Sequence, residues 1–249
     1  TLTFDSAVDV SGTPQITLSN AQVVDYASGT GSTALVFTYT VAEGHTDSSD
    51  LSVSSIAANG GNIEDAADND FSTTIADGDL GSVTVDVTVP TMTITSSTAS
   101  SGASTNTQAF ALTFTSSEAT TDFIADDITA TGCTLSSLSP SSSTVYTATC
   151  SVSSDGAASV SVAAGTFNDG PGNDNTVSNT YSWTYDTQSP TVTITSSASD
   201  PATSSTIAVT ITFSESTSNF VNGDITVGGG SSSLSGSGTT YTATLTPSA

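Results

Sequence analysis

Apolar and polar residues alternate in short runs along most of the chain, separated by clusters of Ser, Thr, Gly, Asn and Asp. Leu35, Phe37, Tyr39 and Val41 make one apolar face, with Val36, Thr38 and Thr40 on the other. Phe110, Leu112 and Phe114 repeat the pattern, as do Tyr146, Ala148, Cys150 and Val152. Tyr181, Trp183 and Tyr185 supply the bulkiest face, and Trp183 reads as core filler. A period of two marks half-buried strands. Strands are expected at residues 2–4, 15–19, 23–27, 35–41, 51–56 and 72–87. A second series is expected at 91–95, 108–115, 127–131, 133–138, 144–152, 158–163 and 179–185.

The pattern restarts at a repeated junction. Tyr185-Asp186-Thr187-Gln188-Ser189-Pro190-Thr191-Val192-Thr193-Ile194-Thr195 has a twin 100 residues earlier, Val85-Asp86-Val87-Thr88-Val89-Pro90-Thr91-Met92-Thr93-Ile94-Thr95. In each, a strand ends, an acidic residue and a proline follow, and a new strand begins; proline is tolerated there and stiffens the join. Beyond the second junction, Ile207, Val209 and Ile211 match Phe110, Leu112 and Phe114. Glu215 matches Glu118, Phe220 matches Phe123, Asp224 matches Asp127 and Tyr241 matches Tyr146. Three units are therefore expected: 1–87 lacking its first strand, a complete 88–187, and 188–249 lacking its last strands. Short strands with turn signals every 8 to 14 residues predict an all-β chain of tandem immunoglobulin-like β-sandwiches in an extended array. The cut-off ends predict completion by neighbouring repeats or by copies of the same protein donating strands.

Charge narrows the function. The chain has no Lys and no Arg against 24 Asp plus Glu, with one His. Nothing can neutralise phosphate, so nucleic acid is excluded as a partner, and an acidic membrane surface is disfavoured. No apolar run approaches the roughly 20 residues of a membrane helix, so no membrane insertion is expected in this segment. Lysine-dependent catalysis and isopeptide cross-links are absent by composition. Cys133 and Cys150 bracket a hairpin that reads as centred near Ser141-Ser142, which places them opposite one another on neighbouring strands. They read as a disulfide, with two buried thiols as the alternative; a disulfide implies an oxidising, extracellular setting.

Several motifs resemble the Ig-like repeats of very large bacterial surface adhesins. They are the junction Asp186 to Thr195, the strand ends Phe114-Thr115-Ser116-Ser117-Glu118 and Phe213-Ser214-Glu215, and the loop Asp169-Gly170-Pro171-Gly172-Asn173. The first unit writes that loop Asp65-Ala66-Ala67-Asp68-Asn69, departing from the family's Gly. The resemblance implies a spacer or adhesive module, commonly calcium-stabilised, and not an enzyme.

In a sandwich of alternating strands, Glu118, Asp169, Asn173 and Asp174 fall at the end where the chain enters, beside Asp86. The loop Glu43 to Asp50 faces them from the preceding unit. Asp186 and Glu215 are placed likewise at the second junction. Carboxylates without basic partners suit Ca²⁺, which takes six to eight oxygens; ordinary solvated turn residues are the competing reading. His45 stands alone, without the partners of a zinc site or a catalytic triad. Thr-x-Thr runs such as Thr91 to Thr95 read as the wet side of a strand. No Asn-x-Ser/Thr acceptor occurs, while Ser-rich runs at 139–144 and 231–237 could carry O-linked sugars. The expected function is a calcium-rigidified spacer, a stalk or filament segment of a secreted surface protein. The alternatives are an adhesive module for carbohydrate or another cell surface, and an acidic S-layer protein.

Overall fold

The computed structural model describes residues 1–249 except 73, 76, 77, 201, 203, 204 and 249. The chain divides into two compact units, Thr1–Tyr185 and Asp186–Ala249. The first holds two separate hydrophobic cores.

Six antiparallel strands build the first core: β1 (Leu2–Ser11), β2 (Gln15–Leu18), β3 (Val23–Ser28), β4 (Ser32–Phe37), β5 (Val53–Ala57) and β6 (Asn62–Asp65). They form one sheet in the order β5-β2-β3-β4-β1-β6. Leu35 and Ile63 are its most deeply buried side chains. β4 ends at Phe37, earlier than the alternation suggests, and Val41 is 47% exposed. Tyr39 is drawn out of the sheet pattern by hydrogen bonds to Asn20 and His45. The expected strand over 72–87 is not formed as such. Isolated bridges join Ser52 to Asp79 and Ser48 to Val85, and residues 73, 76 and 77 lie outside the described ones. Glycines 78 and 81 interrupt the run, and Gly81 has φ 75°, which breaks an extended ladder.

The second core is a sandwich of two four-stranded sheets. One runs β11 (Thr134–Pro140), β12 (Val145–Ser151), β9 (Ala109–Ser116), β7 (Met92–Ser96). The other runs β10 (Ile128–Thr131), β13 (Gly156–Val162), β14 (Tyr181–Tyr185), β8 (Ala103–Thr105). Inward residues alternate as the sequence pattern requires: Phe110, Leu112 and Phe114 on β9 are all buried, and so are Tyr146, Ala148 and Cys150 on β12. Trp183 crosses the sandwich to stack on Phe110, with ring centroids 4.4 Å apart and planes 18° from parallel. Its Nε1 is buried without a hydrogen-bond partner, so the indole is held by packing alone. β8 is too short to show periodicity, and it pairs parallel with β14. Between β10 and β11 the chain needs Gly132, at φ 71°, where a Cβ would lie 2.2 Å from the Ala157 carbonyl oxygen.

Cys133 and Cys150 are disulfide-bonded with Cα atoms 5.7 Å apart, and no free cysteine exists among the described residues. They do not stand directly opposite. Leu135 pairs with Cys150, so the bond runs diagonally from the residue preceding β11. Pro140 pairs with Tyr146, which moves the turn towards Ser143, and an irregularity between Ser136 and Ser139 shifts the register once more.

The second compact unit has one three-stranded sheet, β15 (Val192–Ser196), β16 (Ile207–Thr217) and β17 (Gly230–Pro247). β17 doubles back near Gly236 and Gly238, both at positive φ, and Ser248 N–H returns to the Gly229 carbonyl at 2.8 Å. Register repeats that of the second core. Ile94 pairs with Phe114 and that residue with Tyr146; Ile194 pairs with Ile211 and that residue with Tyr241. Tyr146 donates to the Thr120 carbonyl at 2.8 Å, and Tyr241 to the Thr217 carbonyl at 3.0 Å. Even the 3-10 turns agree, with Asp127 accepting from Ile124 N–H and Asp224 from Val221 N–H.

Candidate functional site: the acidic junction

The join between the first two cores is short. Val85 is buried in one core and Met92 in the next, leaving residues 86–91 to connect them. Side chains from both sides grip this connector. Asp47, on the loop after β4, accepts from Val87 N–H at 2.7 Å and from the Thr88 hydroxyl. Those two hydrogen bonds, the hydroxyl first, hold its pKa below the usual carboxylate range. From the second core, Asn173 donates to the Asp86 carbonyl at 3.2 Å and Thr176 N–H to the Pro90 carbonyl at 2.9 Å. Asp86 Oδ1 accepts from Thr88 N–H at 3.1 Å, a local turn.

Asp169 organises the loop that carries Asn173. One of its oxygens accepts from Gly172 N–H at 2.7 Å and Asn173 N–H at 2.8 Å; the other accepts the Asn173 carboxamide at 2.8 Å. Asp169 is only 5% exposed. Burial pushes its pKa up, but the hydrogen bonds from Asn173, Gly172 and Glu118 together outweigh this, and the net displacement is downward. Asp65 builds the same loop in the first core, accepting from Ala67 N–H, Asn69 N–H and the Asn69 carboxamide. Asp68 stands where Gly172 does and adopts φ 62° against 104°. The departure from Gly is thus accommodated, because Asp is among the few residues that enter the left-handed region with modest strain.

Glu118, two residues beyond β9, is partly buried beside this loop. Its pKa is raised, first by burial and then by the charges of Asp86, Asp169 and Asp47; a hydrogen bond shared with Asp169 adds to the effect. Its Oε2 is buried without a hydrogen-bond partner. The structure therefore brings Asp86, Glu118, Asp169 and Asn173 to one end of the second sandwich, with Asp47 facing them. Asp186 and Glu215 both belong to the second compact unit. Asp186 accepts from Gln188 N–H at 3.0 Å, and Glu215 lies half-buried on β16.

As a metal centre the first cluster has the right donor chemistry, all oxygen, and includes a buried carboxylate oxygen without a hydrogen-bond partner, Glu118 Oε2. It lacks preset spacing: among the described residues no three His, Cys, Asp or Glu side chains converge at ligand distance. His45 stacks on Tyr39, with centroids 5.4 Å apart, and its Nδ1 meets the Tyr39 hydroxyl at 2.8 Å. Residues the sequence did not single out are Asn175 and Asn179. Asn175 Oδ1 accepts from Thr166 and Phe167 N–H, and Asn179 clamps the backbone of Ile94. Nothing in sequence separates these asparagines from turn residues.

A family model described as a bacterial Ig-like domain matches residues 86–185 and again 186–249. The chain belongs to this family. Both matches begin at the junction acids, Asp86 and Asp186, so they count the connector with the domain that follows it. No curated protein matches the chain. Bacterial Ig-like domains commonly occur in bacterial surface proteins, and the family is typically non-enzymatic. No helix among the described residues is long and apolar enough to cross a membrane.

Proposed function

We propose that this chain is a spacer segment of a secreted bacterial surface protein, a stalk or filament of Ig-like domains that holds other parts away from the cell. The observation that carries the reading is the first junction. A six-residue connector is held by side chains of both flanking cores, Asp47 on one side and Asn173 on the other. A join gripped twice resists bending, which a flexible tether would not. The adhesive alternative gains no support from the aromatics, since among the described residues none of the large exposed hydrophobics is a Phe, Tyr or Trp. Glycan sites present such rings to solvent.

Calcium is the proposed stiffener. Asp86, Glu118, Asp169 and Asn173 would hold it with Asp47, and Asp186 and Glu215 would serve the following junction. Carboxylates about 5 Å apart repel by on the order of 1 kcal/mol even in water-like surroundings, and a divalent cation reverses that sign. Neighbouring repeats are the proposed partners, outside the cell. The test compares melting and small-angle scattering in Ca²⁺, in chelator, and in NaCl of matched ionic strength. Stability that rises with the logarithm of free Ca²⁺, and a longer, stiffer particle, are expected. Identical melting and dimensions in chelator would reject the calcium reading, while a bent or variable junction in all three buffers would reject the spacer.

A further inference from the structure

A sheet that ends on a bare strand offers its edge to other chains, and proteins blunt such edges with lysine, with a bulge or with a covering loop. This chain has no lysine to place there. In the second core β7 is the end strand of its sheet and pairs with β9 alone among the described strands. Its sequence favours pairing. Met92-Thr93-Ile94-Thr95-Ser96 is uncharged, rich in β-branched residues and free of Pro and Gly. Residues 87–117 hold no Asp or Glu, in a chain of net charge −24. The repulsion that keeps copies apart elsewhere is therefore weakest here.

The edge is nevertheless closed, and not by a strand. The N–H and carbonyl of Ile94 face away from β9, and one side chain takes both. Asn179 Oδ1 accepts from Ile94 N–H at 2.7 Å, and Asn179 Nδ2 donates to the Ile94 carbonyl at 3.0 Å. A carboxamide thus gives a single residue the acceptor and donor that a neighbouring backbone gives it in an antiparallel ladder. An ionised carboxylate has no donor, and a hydrocarbon side chain has neither. Ahead of β7, Thr176 N–H donates to the Pro90 carbonyl at 2.9 Å, so residues 176–179, which belong to no strand, run alongside it.

We infer that Asn179 is an edge-capping residue: its carboxamide fills the positions through which β7 would accept a strand from a second copy of this chain. A second copy is the occupant it excludes, because two uncharged β7 edges fit one another in antiparallel register about a two-fold axis. Repeats strung on one chain make the exclusion matter, since tethering holds like strands at high effective concentration.

The test uses the full chain and site-resolved amide exchange over a concentration series. In the parent, exchange at Ile94 should be slow and independent of concentration. In Asn179→Ala, exchange at Ile94 in dilute solution should speed up by about tenfold or more, the loss of two hydrogen bonds. It should slow again as concentration rises and copies pair at the opened edge. Asn179→Asp keeps the acceptor, loses the donor and adds a charge, so it should speed exchange at Ile94 without any concentration dependence. Tyr146→Phe controls for destabilisation alone, since it removes a buried hydrogen bond to the Thr120 carbonyl and leaves Asn179 in place. Exchange at Ile94 that is unchanged in Asn179→Ala, or faster but equal at every concentration, overturns the inference. So does concentration dependence in the parent or in Tyr146→Phe, because association would then owe nothing to the cap.

Discussion

Two sheets of one chain, β11-β12-β9-β7 and β15-β16-β17, share a register residue for residue, and yet one is the floor of a core and the other is half bare. The bare sheet still buries Ile211, Tyr241 and Ala243, because Phe220, Ile225 and Leu234 pack against them. Tyr241 and Phe220 meet edge-on at 5.1 Å, as Tyr146 and Phe123 do at 5.0 Å. The same local aromatic knot is therefore built in both sheets. What the second sheet adds is the covering of β7 and the Trp183 stack. Local sequence sets register and turn chemistry; burial of the β7 face needs strands far along the chain.

The largest effect should come from removing the cover. Trp183→Ala is expected to cost the second core about 3–5 kcal/mol, whereas Val192→Ala in the bare sheet should stay within about 0.5 kcal/mol. Denaturant unfolding followed by amide exchange, core by core, separates the two. Equal effects would mean that β15 is covered in solution. Next comes the disulfide, absent from the bare sheet, where Leu245 holds the register position of Cys150. Replacing both cysteines by Ala should lower the stability of the second core by about 3 kcal/mol, given the 17-residue separation. Exchange in the second compact unit should not change.

Much of this was legible because period-two alternation survives wherever one face of a strand is buried. Phe110 to Phe114 and Tyr181 to Tyr185 announce themselves that way, and the junction motif announces the repeat. β8 escaped because three residues hold no period. The 72–87 run misled because scattered Val residues imitate alternation across glycines that break the ladder. The cysteine register was off because a hairpin's centre depends on its turn, and the Ser-rich tip gives no residue that fixes one. At the junction, clustering of carboxylates followed from topology. The gripping by Asp47 and Asn173 did not, since a hydrogen bond from a side chain to a distant backbone group leaves no periodic trace.

A smaller effect sharpens the comparison of the aromatic knots. Tyr146→Phe removes a buried hydrogen bond and leaves the Thr120 carbonyl short of a donor, at a cost of about 1–2 kcal/mol. Tyr241→Phe should cost less. Its Thr217 carbonyl partner belongs to a half-buried residue, within reach of water. Matched thermal scans of the two variants check the order, and a reversed order would show that the bare sheet is the drier one in solution.

The smallest effect is the one pH reveals at the junction, and its sign is fixed by two opposed carboxyls. Glu118 has a raised folded pKa, so its contribution favours folding when protonated. That contribution is complete below the unfolded value near 4.5 and is lost as pH rises through the folded value above it. Asp169 has a lowered pKa, so its contribution is present above 3.8 and is lost as pH falls through the folded value below that. In calcium-free buffer, stability of the second core should therefore rise slightly on acidification from neutrality to just above pH 4.5, then fall at lower pH. Glu118→Gln removes the first limb and leaves the second, because the amide carries no charge to repel Asp86 and Asp169. The variant should be more stable than the parent at neutral pH without Ca²⁺, and flat between pH 7 and 5. If added Ca²⁺ then stabilises the parent but not the variant, Glu118 is a ligand. If the parent shows no acid-side gain at all, the carboxyls at this junction do not sense one another, and the orphaned Oε2 is satisfied by water.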